Sequence, residues 1–394
     1  MKKAINREYT LIDLFCGAGG LSCGLKQSGF NSLLSMDIDS VYASTYKLNN
    51  PNTEVITQDI RTLDSLSIKK ITGLTTGSLD LLAGGPPCQG FSINAPIRSL
   101  DDQRNHLFKE FLRIASIFMP KAILIENVPG IVSLGKGTVV KSIYKELESL
   151  GYSVGHKILF AGHYGIPQLR FRTVFLAFRD ATEIKFPSPT HAADAVANFS
   201  GAKELCQTVT AEMTLHSKVT VSQAISDLPP LKPGESINHV PYTMPPLSKY
   251  QELLRNDSDF IYNHACARLG KANLERLQHI PQGGSWRDIP FELLPAGLKR
   301  ARRSDHTKRY GRLHPDALCS TILTKCDPHW GSFFHPIQDR ALSVREAARI
   351  QSFPDHYKFT GNITQQFEQV GNAVPPLLAK AIGEQIARIL HEKN

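Results

Sequence analysis

Seven short apolar runs dominate the first 180 residues: YTLIDLF (9–15), NSLLSMD (31–37), EVITQD (54–59), LDLLAGG (79–85), AILIENV (122–128), SVGHKILFA (153–161) and TVFLAFR (173–179). Amphipathic stretches separate the first five, among them NHLFKEFLRIASIF (105–118), whose apolar residues recur at helical spacing. A chain that alternates strand and helix in this way has few ways to hide its apolar faces. It predicts an α/β fold, a doubly wound Rossmann-like sheet with helices on both faces. In such sheets ligands bind beyond the carboxyl ends of the strands, near the point where strand order reverses.

The texture changes after residue 185. Residues 227–246, DLPPLKPGESINHVPYTMPP, carry six prolines and no period, and the chain to about 336 is rich in Gly, Pro, His and Arg. A smaller, irregular, β-rich domain is predicted over 186–340, a hinge over 341–365, and a catalytic and cofactor-binding domain over 1–185. Helical patterning returns in SVREAARIQSF (343–353) and PPLLAKAIGEQIARIL (375–390), and residues 366–394 are expected to complete the first domain. The start, MKKAINREYT, lacks the apolar stretch of a signal peptide, and no run approaches the roughly 18 apolar residues of a membrane span. Seven cysteines, none paired as C-x-x-C, fit a reducing cytoplasm better than a disulfide framework or a zinc ribbon.

The first strand ends in DLFCGAGGLSCGL. Glycines 17, 19 and 20 stand where strand becomes helix, which lets a ligand approach the helix N-terminus. Position 22 is serine, so the dinucleotide fingerprint is not met. Asp37 and Asp59 end the second and third strands, where carboxylates can accept hydrogen bonds from ribose hydroxyls. Glycine turn and two acids together suit an adenosine-containing cofactor. The fourth strand runs into GGPPCQGFS (84–92) and the fifth into IENVPG (125–130), so Cys88 and Glu126 are expected on the same sheet edge. An ordinary thiol, with a pKa of about 8.5, is only slightly ionised near neutrality, and a nucleophilic Cys88 needs a local drop.

The order DLFCGAGG, GGPPCQGFS, IENVPG, QLRFR (168–172) and QVGNAVPP (369–376) resembles the cytosine-5 DNA methyltransferases of bacterial restriction-modification type. QDIR, RNHLFKEFLRI (104–114), HYGIPQLRFR (163–172) and LSVREAARIQSFPD (342–355) extend the resemblance over most of 10–180 and 340–390. It implies methyl transfer from S-adenosylmethionine, leaving S-adenosylhomocysteine, to C5 of a cytosine flipped out of duplex DNA, with no metal. By the same resemblance Cys88 is the nucleophile that adds to C6. Glu126 holds the N3 edge and Asn127 helps position it. Arg170, and after it Arg172, contacts the base O2 and the neighbouring loop. Phe15, Gly17, Gly19, Asp37, Ile38, Asp59, Ile60, Leu107, Asn372 and Val374 surround the cofactor. Where the family often carries a large aromatic after the ribose-binding acid, this chain has Ile38.

The loop at roughly 88–105 is expected to close over DNA, with Gln89 and Ser92 as contacts. The middle segment is the expected target-recognition domain. The chain carries 45 basic and 36 acidic residues, and seven of the basic ones lie between Lys299 and Arg312 against the single acid Asp305, a stripe suited to phosphates. Arg287, Arg302, Arg303 and Lys325 are candidates for reaching guanine edges. Thr321, in Ser320-Thr321-Ile322, resembles the family's short recognition element. The expected partner is double-stranded DNA, with a cognate restriction endonuclease working alongside and no stable complex; the enzyme is expected to act as a monomer at the nucleoid. A tRNA methyltransferase of the same family and a catalytically silent DNA-binding relative are the competing readings. Intact Cys88, Glu126 and Arg170 argue against the second.

Overall fold

The computed structural model describes residues 8–87, 106–180, 183–194, 209, 213–325, 327 and 329–392. Cys88, Gln89, Ser92 and the rest of the expected closing loop lie outside the described residues. Two compact units emerge, one drawn from Met1–Tyr164, Phe171–Leu215 and Val374–Asn394, the other from Gly165–Arg170 and His216–Ala373. The long stretch of the second unit begins at His216, and residues 341–365 lie within it.

All seven apolar runs of the first unit are strands: β1 (Tyr9–Leu14), β2 (Phe30–Asp37), β3 (Glu54–Thr57), β4 (Leu81–Gly84), β5 (Ala122–Asn127), β6 (Ser153–Phe160) and, after the two-residue β7 (Gln168–Leu169) of the second unit, β8 (Phe171–Phe178). They form one sheet in the order β3-β2-β1-β4-β5-β8-β6. The first five are parallel, and β8 runs antiparallel between β5 and β6. Order reverses at β1, between β2 and β4, so the turn that follows β1 lies at the switch point.

Strands β4 and β5 are buried throughout because helices cover both faces. Helices α1 (Gly20–Gln27), α2 (Ser40–Asn49), α3 (Ser65–Thr72), α4 (His106–Phe118) and α5 (Thr138–Ser149) supply the cover. Side-chain caps fix the starts of two of them: Asp39 accepts the Val41 and Tyr42 amides ahead of α2, and Asp64 accepts that of Ser67 ahead of α3. Phe111, Ile114, Ala115 and Phe118 form the buried stripe of α4, in one cluster with Ile12, Leu14, Ile123 and Phe175 of the sheet.

The C-terminal helix (Pro376–Glu392) returns to pack on α1. The approach depends on two glycines. A β-carbon at Gly24 would stand 2.1 Å from the Pro376 carbonyl oxygen, and one at Gly383 would stand 2.0 Å from Ser28 Oγ. Tyr9 Oη donates to the Ala387 carbonyl at 3.3 Å, so the last helix is also tied to the first strand.

The second unit contains strand pairs of two or three residues, short helices and one buried polar helix, Val344–Ile350. Its apolar cluster gathers Leu277, Ile280, Trp286, Leu298, Tyr310 and Phe334. No helix among the described residues is long and apolar enough to cross a membrane.

Candidate active site

The chain turns sharply after β1. Phe15, Gly17 and Gly19 all take positive φ, at 60°, 54° and 87°. Only glycine adopts such values freely, which explains GxGG better than helix-starting propensity does. A β-carbon at Gly17 would meet nothing within 4 Å, so the backbone faces open space there. The Gly17 amide donates to Asp37 Oδ2 at 2.8 Å and the Asp39 amide to Asp37 Oδ1 at 2.9 Å, locking the β1 and β2 ends together. Burial raises the Asp37 pKa against the pull of these amides. Beside it Ile38 is 69% exposed, an apolar side chain open to solvent at the strand end.

Asp13, not singled out by the sequence reading, lies beneath this turn. Its carboxyl is fully buried; Ser22 Oγ donates to Oδ2 at 2.6 Å, and Tyr46 Oη donates in turn to Ser22 at 2.8 Å. The other oxygen, Oδ1, accepts no hydrogen bond from the described residues. Burial, reinforced by the Asp37 charge and opposed by Ser22, pushes Asp13 up to about 7. The sequence held one signal for it, an acid inside an otherwise apolar strand. An orphaned buried oxygen, an open glycine turn and an exposed isoleucine at one sheet edge fit an adenosine-bearing cofactor with a cationic or amine-bearing tail.

The other cofactor candidates divide. Ile60 is buried and Leu107 half-buried against the core. Asp59 caps the turn Ile60–Thr62 and is held by Arg61, whose Nε lies 3.0 Å from both carboxylate oxygens; that hydrogen bond keeps its pKa below the usual range. Val374 is buried in the first unit, and Asn372 is exposed at the end of the helix Ile363–Asn372 in the second.

At the β5 end, Glu126 is 9% exposed and paired with Arg172, whose Nε lies 2.6 Å from Oε1. Strand register explains the pairing. Glu126 lies opposite Val174 on β8, and Arg172 is two residues along the same strand, on the same face. Burial lowers the Arg172 pKa, against the opposing effect of Glu126. The other carboxylate oxygen faces Gly85, where an added β-carbon would stand 3.2 Å away. Asn127 Nδ2 donates to the Pro86 carbonyl at 3.0 Å, and its Oδ1 accepts the Val128 amide at 2.9 Å. The loop leading to Cys88 is thereby fixed to the strand that carries Glu126.

Arg170 goes elsewhere. It is 1% exposed, and its guanidinium donates to the carbonyls of Ile322, Gly371 and Ala373 at 3.1, 2.8 and 3.1 Å, joining three segments of the second unit. Of the two arginines in QLRFR, Arg172 is the one beside Glu126.

In the second unit Arg302, Arg303 and Lys325 are exposed and Arg287 half-buried. Arg303 Nη2 donates to the Arg287 carbonyl, which holds those two residues together. Thr321 Oγ1 donates to the Leu169 carbonyl at 2.6 Å, part of the pairing of Cys319–Ser320 with β7. Among the described residues no three His, Cys, Asp or Glu side chains are arranged to hold a metal.

The sequence matches the family of C-5 cytosine-specific DNA methylases over residues 9–388. It is 36% identical over 386 residues to the type II methyltransferase M1.HphI of Haemophilus parahaemolyticus, covering 97% of this chain and 87% of that protein. To the type II methyltransferase M.AgeI of Thalassovita gelatinovora it is 34% identical over 433 residues, covering 95% and 98%. A crystal structure of a putative DNA modification methyltransferase encoded within an E. coli prophage shares the fold, with a TM-score of 0.73 at 24% identity over 98% of this chain and 100% of that one.

Proposed function

The chain belongs to the C-5 cytosine-specific DNA methylases, and we propose how its own residues carry out methyl transfer to cytosine in DNA. The observation that carries the reading is the clamp at the β5 end. Buried Glu126 and half-buried Arg172 form an ion pair, and Asn127 anchors Pro86, two residues before Cys88.

C5 of cytosine is too poor a nucleophile to take a methyl group unaided. In this reading the Cys88 thiolate adds to C6, the S–C6 bond forms, and the C5–C6 π pair is released toward C5. Glu126 hydrogen-bonds the N3 edge and supplies a proton there, so that the ring does not accumulate the full charge of the attack. Arg172 holds the Glu126 carboxyl in one rotamer and points its remaining N–H groups at the base O2. Arg170 keeps the second unit's segments in place. After C5 has been methylated, loss of the C5 proton and departure of the Cys88 thiolate restore the aromatic ring.

S-adenosylmethionine, when bound, supplies the electrophilic methyl sulfonium. Phe15, Gly17 and Gly19 would shape its approach, Asp37 would accept the ribose hydroxyls, and Ile38 would cover the adenine face. Asp59, Ile60, Leu107, Asn372 and Val374 complete the set. A target base inside a duplex must leave the stack, at a cost of a few kcal/mol. Gln89, Ser92, Arg287, Arg302, Arg303, Thr321 and Lys325 are assigned to the opened strand and its flanks.

The type II methyltransferase names of the relatives support a DNA-modification role; a restriction endonuclease working alongside and action as a cytoplasmic monomer are part of the same proposal. Transfer of labelled methyl from S-adenosylmethionine to unmethylated genomic DNA, with tRNA in parallel, tests the reading. Label in DNA that disappears with Cys88→Ser is the expected result, and bisulfite sequencing of the product then identifies the site. Label confined to tRNA would refute it.

A further inference from the structure

The chain has two tryptophans, and the second unit treats them oppositely. Trp286 is 3% exposed, with Nε1 donating to the His306 carbonyl at 3.2 Å. Trp330 is 59% exposed. An indole left in water forfeits the burial that usually justifies its size, and such rings tend to mark a surface that something else covers.

This ring is held on a fixed support. The Trp330 amide donates to the Asp327 carbonyl at 2.9 Å, closing a turn. Within that turn the Asp327 carboxylate accepts from the His329 amide at 2.9 Å and lies 2.7 Å from His329 Nδ1. His329 Nε2 is 2.6 Å from the hydroxyl of Tyr310, a fully buried member of the unit's apolar cluster. The turn is therefore pinned to the core, and only the two side-chain torsions of Trp330 remain to be fixed on binding.

The neighbours are cationic. The pairing of Gly311–Arg312 with Ser332–Phe334 and the bond from Ser332 Oγ to the Lys308 carbonyl at 3.2 Å bring the end of the basic stripe alongside the turn. Arg309 lies over the indole, its guanidinium carbon 5.6 Å from the ring centroid. Lys299, Arg300, Arg302, Arg303 and Lys308 are exposed along the same stripe. A flat apolar ring beside a row of cations, interrupted by the single acid Asp305, matches a partner with flat apolar faces joined by anions.

We propose that Trp330 stacks on a base that the opened duplex exposes, with Arg309 holding the adjacent phosphate. The inference rests on the DNA-methylating reading above and adds an aromatic contact that the seven DNA-contact candidates lack. Stacking of a base on an aromatic side chain is worth about 1–3 kcal/mol by alanine substitution, or roughly fivefold to 150-fold in affinity.

The test uses the full chain and a duplex carrying the site identified by bisulfite sequencing of the wild-type product. Trp330→Ala should raise Kd and KM for that duplex about tenfold to a hundredfold with kcat nearly unchanged, and Trp330→Phe should recover most of the loss. The salt dependence should separate the pair: Trp330→Ala keeps the slope of log Kd against log salt, and Arg309→Ala lowers it by about one. Emission that Trp330→Phe removes should be quenched by saturating duplex in the wild type. Wild-type Kd and KM in Trp330→Ala, alongside active wild-type enzyme, would overturn the stacking role and leave the methylation reading standing. A DNA-free dimer that Trp330→Ala dissociates would reassign the ring to a second copy of the chain and overturn it as well. A wild type that neither methylates nor binds DNA would overturn both.

Discussion

In the sheet unit the largest fully buried side chains include Phe30, Phe111, Phe118, Phe160 and Phe175, whereas in the second unit they include Arg170, Arg340, Arg345 and Arg349. The first core is apolar and periodic. Around the second core runs a set of ion pairs and carbonyl contacts that stands in for regular secondary structure. Arg349 bridges two buried acids, with Nη2 at 3.2 Å from Asp227 Oδ2 and 2.7 Å from Asp355 Oδ2. Arg340 grips Glu346 with two bonds, at 2.6 and 2.8 Å. Arg345 donates to the carbonyls of Tyr262, Pro354 and Tyr357. A segment without long strands must satisfy its backbone carbonyls some other way, and buried guanidiniums, each with five donors, do so. Such a core is specific because every charge has one partner set, and fragile because removing one charge strands the others.

The sharpest way to break this contrast is Arg349→Met. It leaves Asp227 and Asp355 buried without their shared cation and should cost about 3–5 kcal/mol. Both tryptophans lie in the second unit, so their emission reports its unfolding directly. A loss under about 1 kcal/mol in denaturant titration would show that the network is ornamental.

Overpacking is the sheet unit's weakness. Gly24→Ala should cost about 1–3 kcal/mol, because the clash is with the Pro376 backbone, which cannot rotate away. Gly383→Ala should cost less, since its nearest neighbour is the tip of Ser28. Equal effects would mean that the two helices slide apart at little cost.

Acid should act on the second unit in two stages. His264 and His335 are buried with depressed pKa values, the latter pushed down to about 4, so the stability they contribute is present above their unfolded value near 6.5. It is lost as pH falls from there toward 4. Glu346 and Asp355 are also held low, and their contribution goes as pH falls below the ordinary carboxylate range. Tryptophan emission in a urea titration at each pH should show a midpoint falling steadily below pH 6.5. A flat midpoint from 6.5 to 4 would contradict the histidine part.

The last effect concerns Asp13 and shows only at alkaline pH. Its folded pKa is raised to about 7, so the stability it contributes is full below its unfolded value near 4 and is lost as pH rises through 7. Asp13→Asn should therefore melt above wild type at pH 8 and level with it at pH 4, while weakening cofactor binding. Identical melting at both pH values would place Asp13 in water rather than in the core.

The sheet was legible in the sequence because burial on both faces writes apolar runs, as in LLAG and AILIEN, and glycines mark the turns. The second unit was not, because its order lies in pairs far apart along the chain. Helix Val344–Ile350 buries every residue, Arg345, Glu346 and Arg349 included, where periodicity would have placed the charges in water. Its one local signal is Ser343 with Glu346, a capping box whose glutamate also grips Arg340. The partners at 227 and 355 could not be found from spacing. At the site, the motif QLRFR named two arginines, but strand register, rather than motif order, puts Arg172 against Glu126. Asp13 was hidden as one acid in an apolar strand, and Trp330 as one aromatic in an irregular stretch.

The central claim is that Cys88 adds to C6 while Glu126 and Arg172 hold the base. Incubation with S-adenosylmethionine and duplex carrying 5-fluorocytosine at the target position tests it most directly, since fluorine blocks the final loss of a C5 proton and traps the bonded state. The wild type should give a protein–DNA complex that survives denaturing electrophoresis, Cys88→Ser should give none, and Arg172→Ala should form it far more slowly than Arg170→Lys. A denaturant-stable complex with Cys88→Ser, or none with a wild type that methylates ordinary cytosine, would contradict the account.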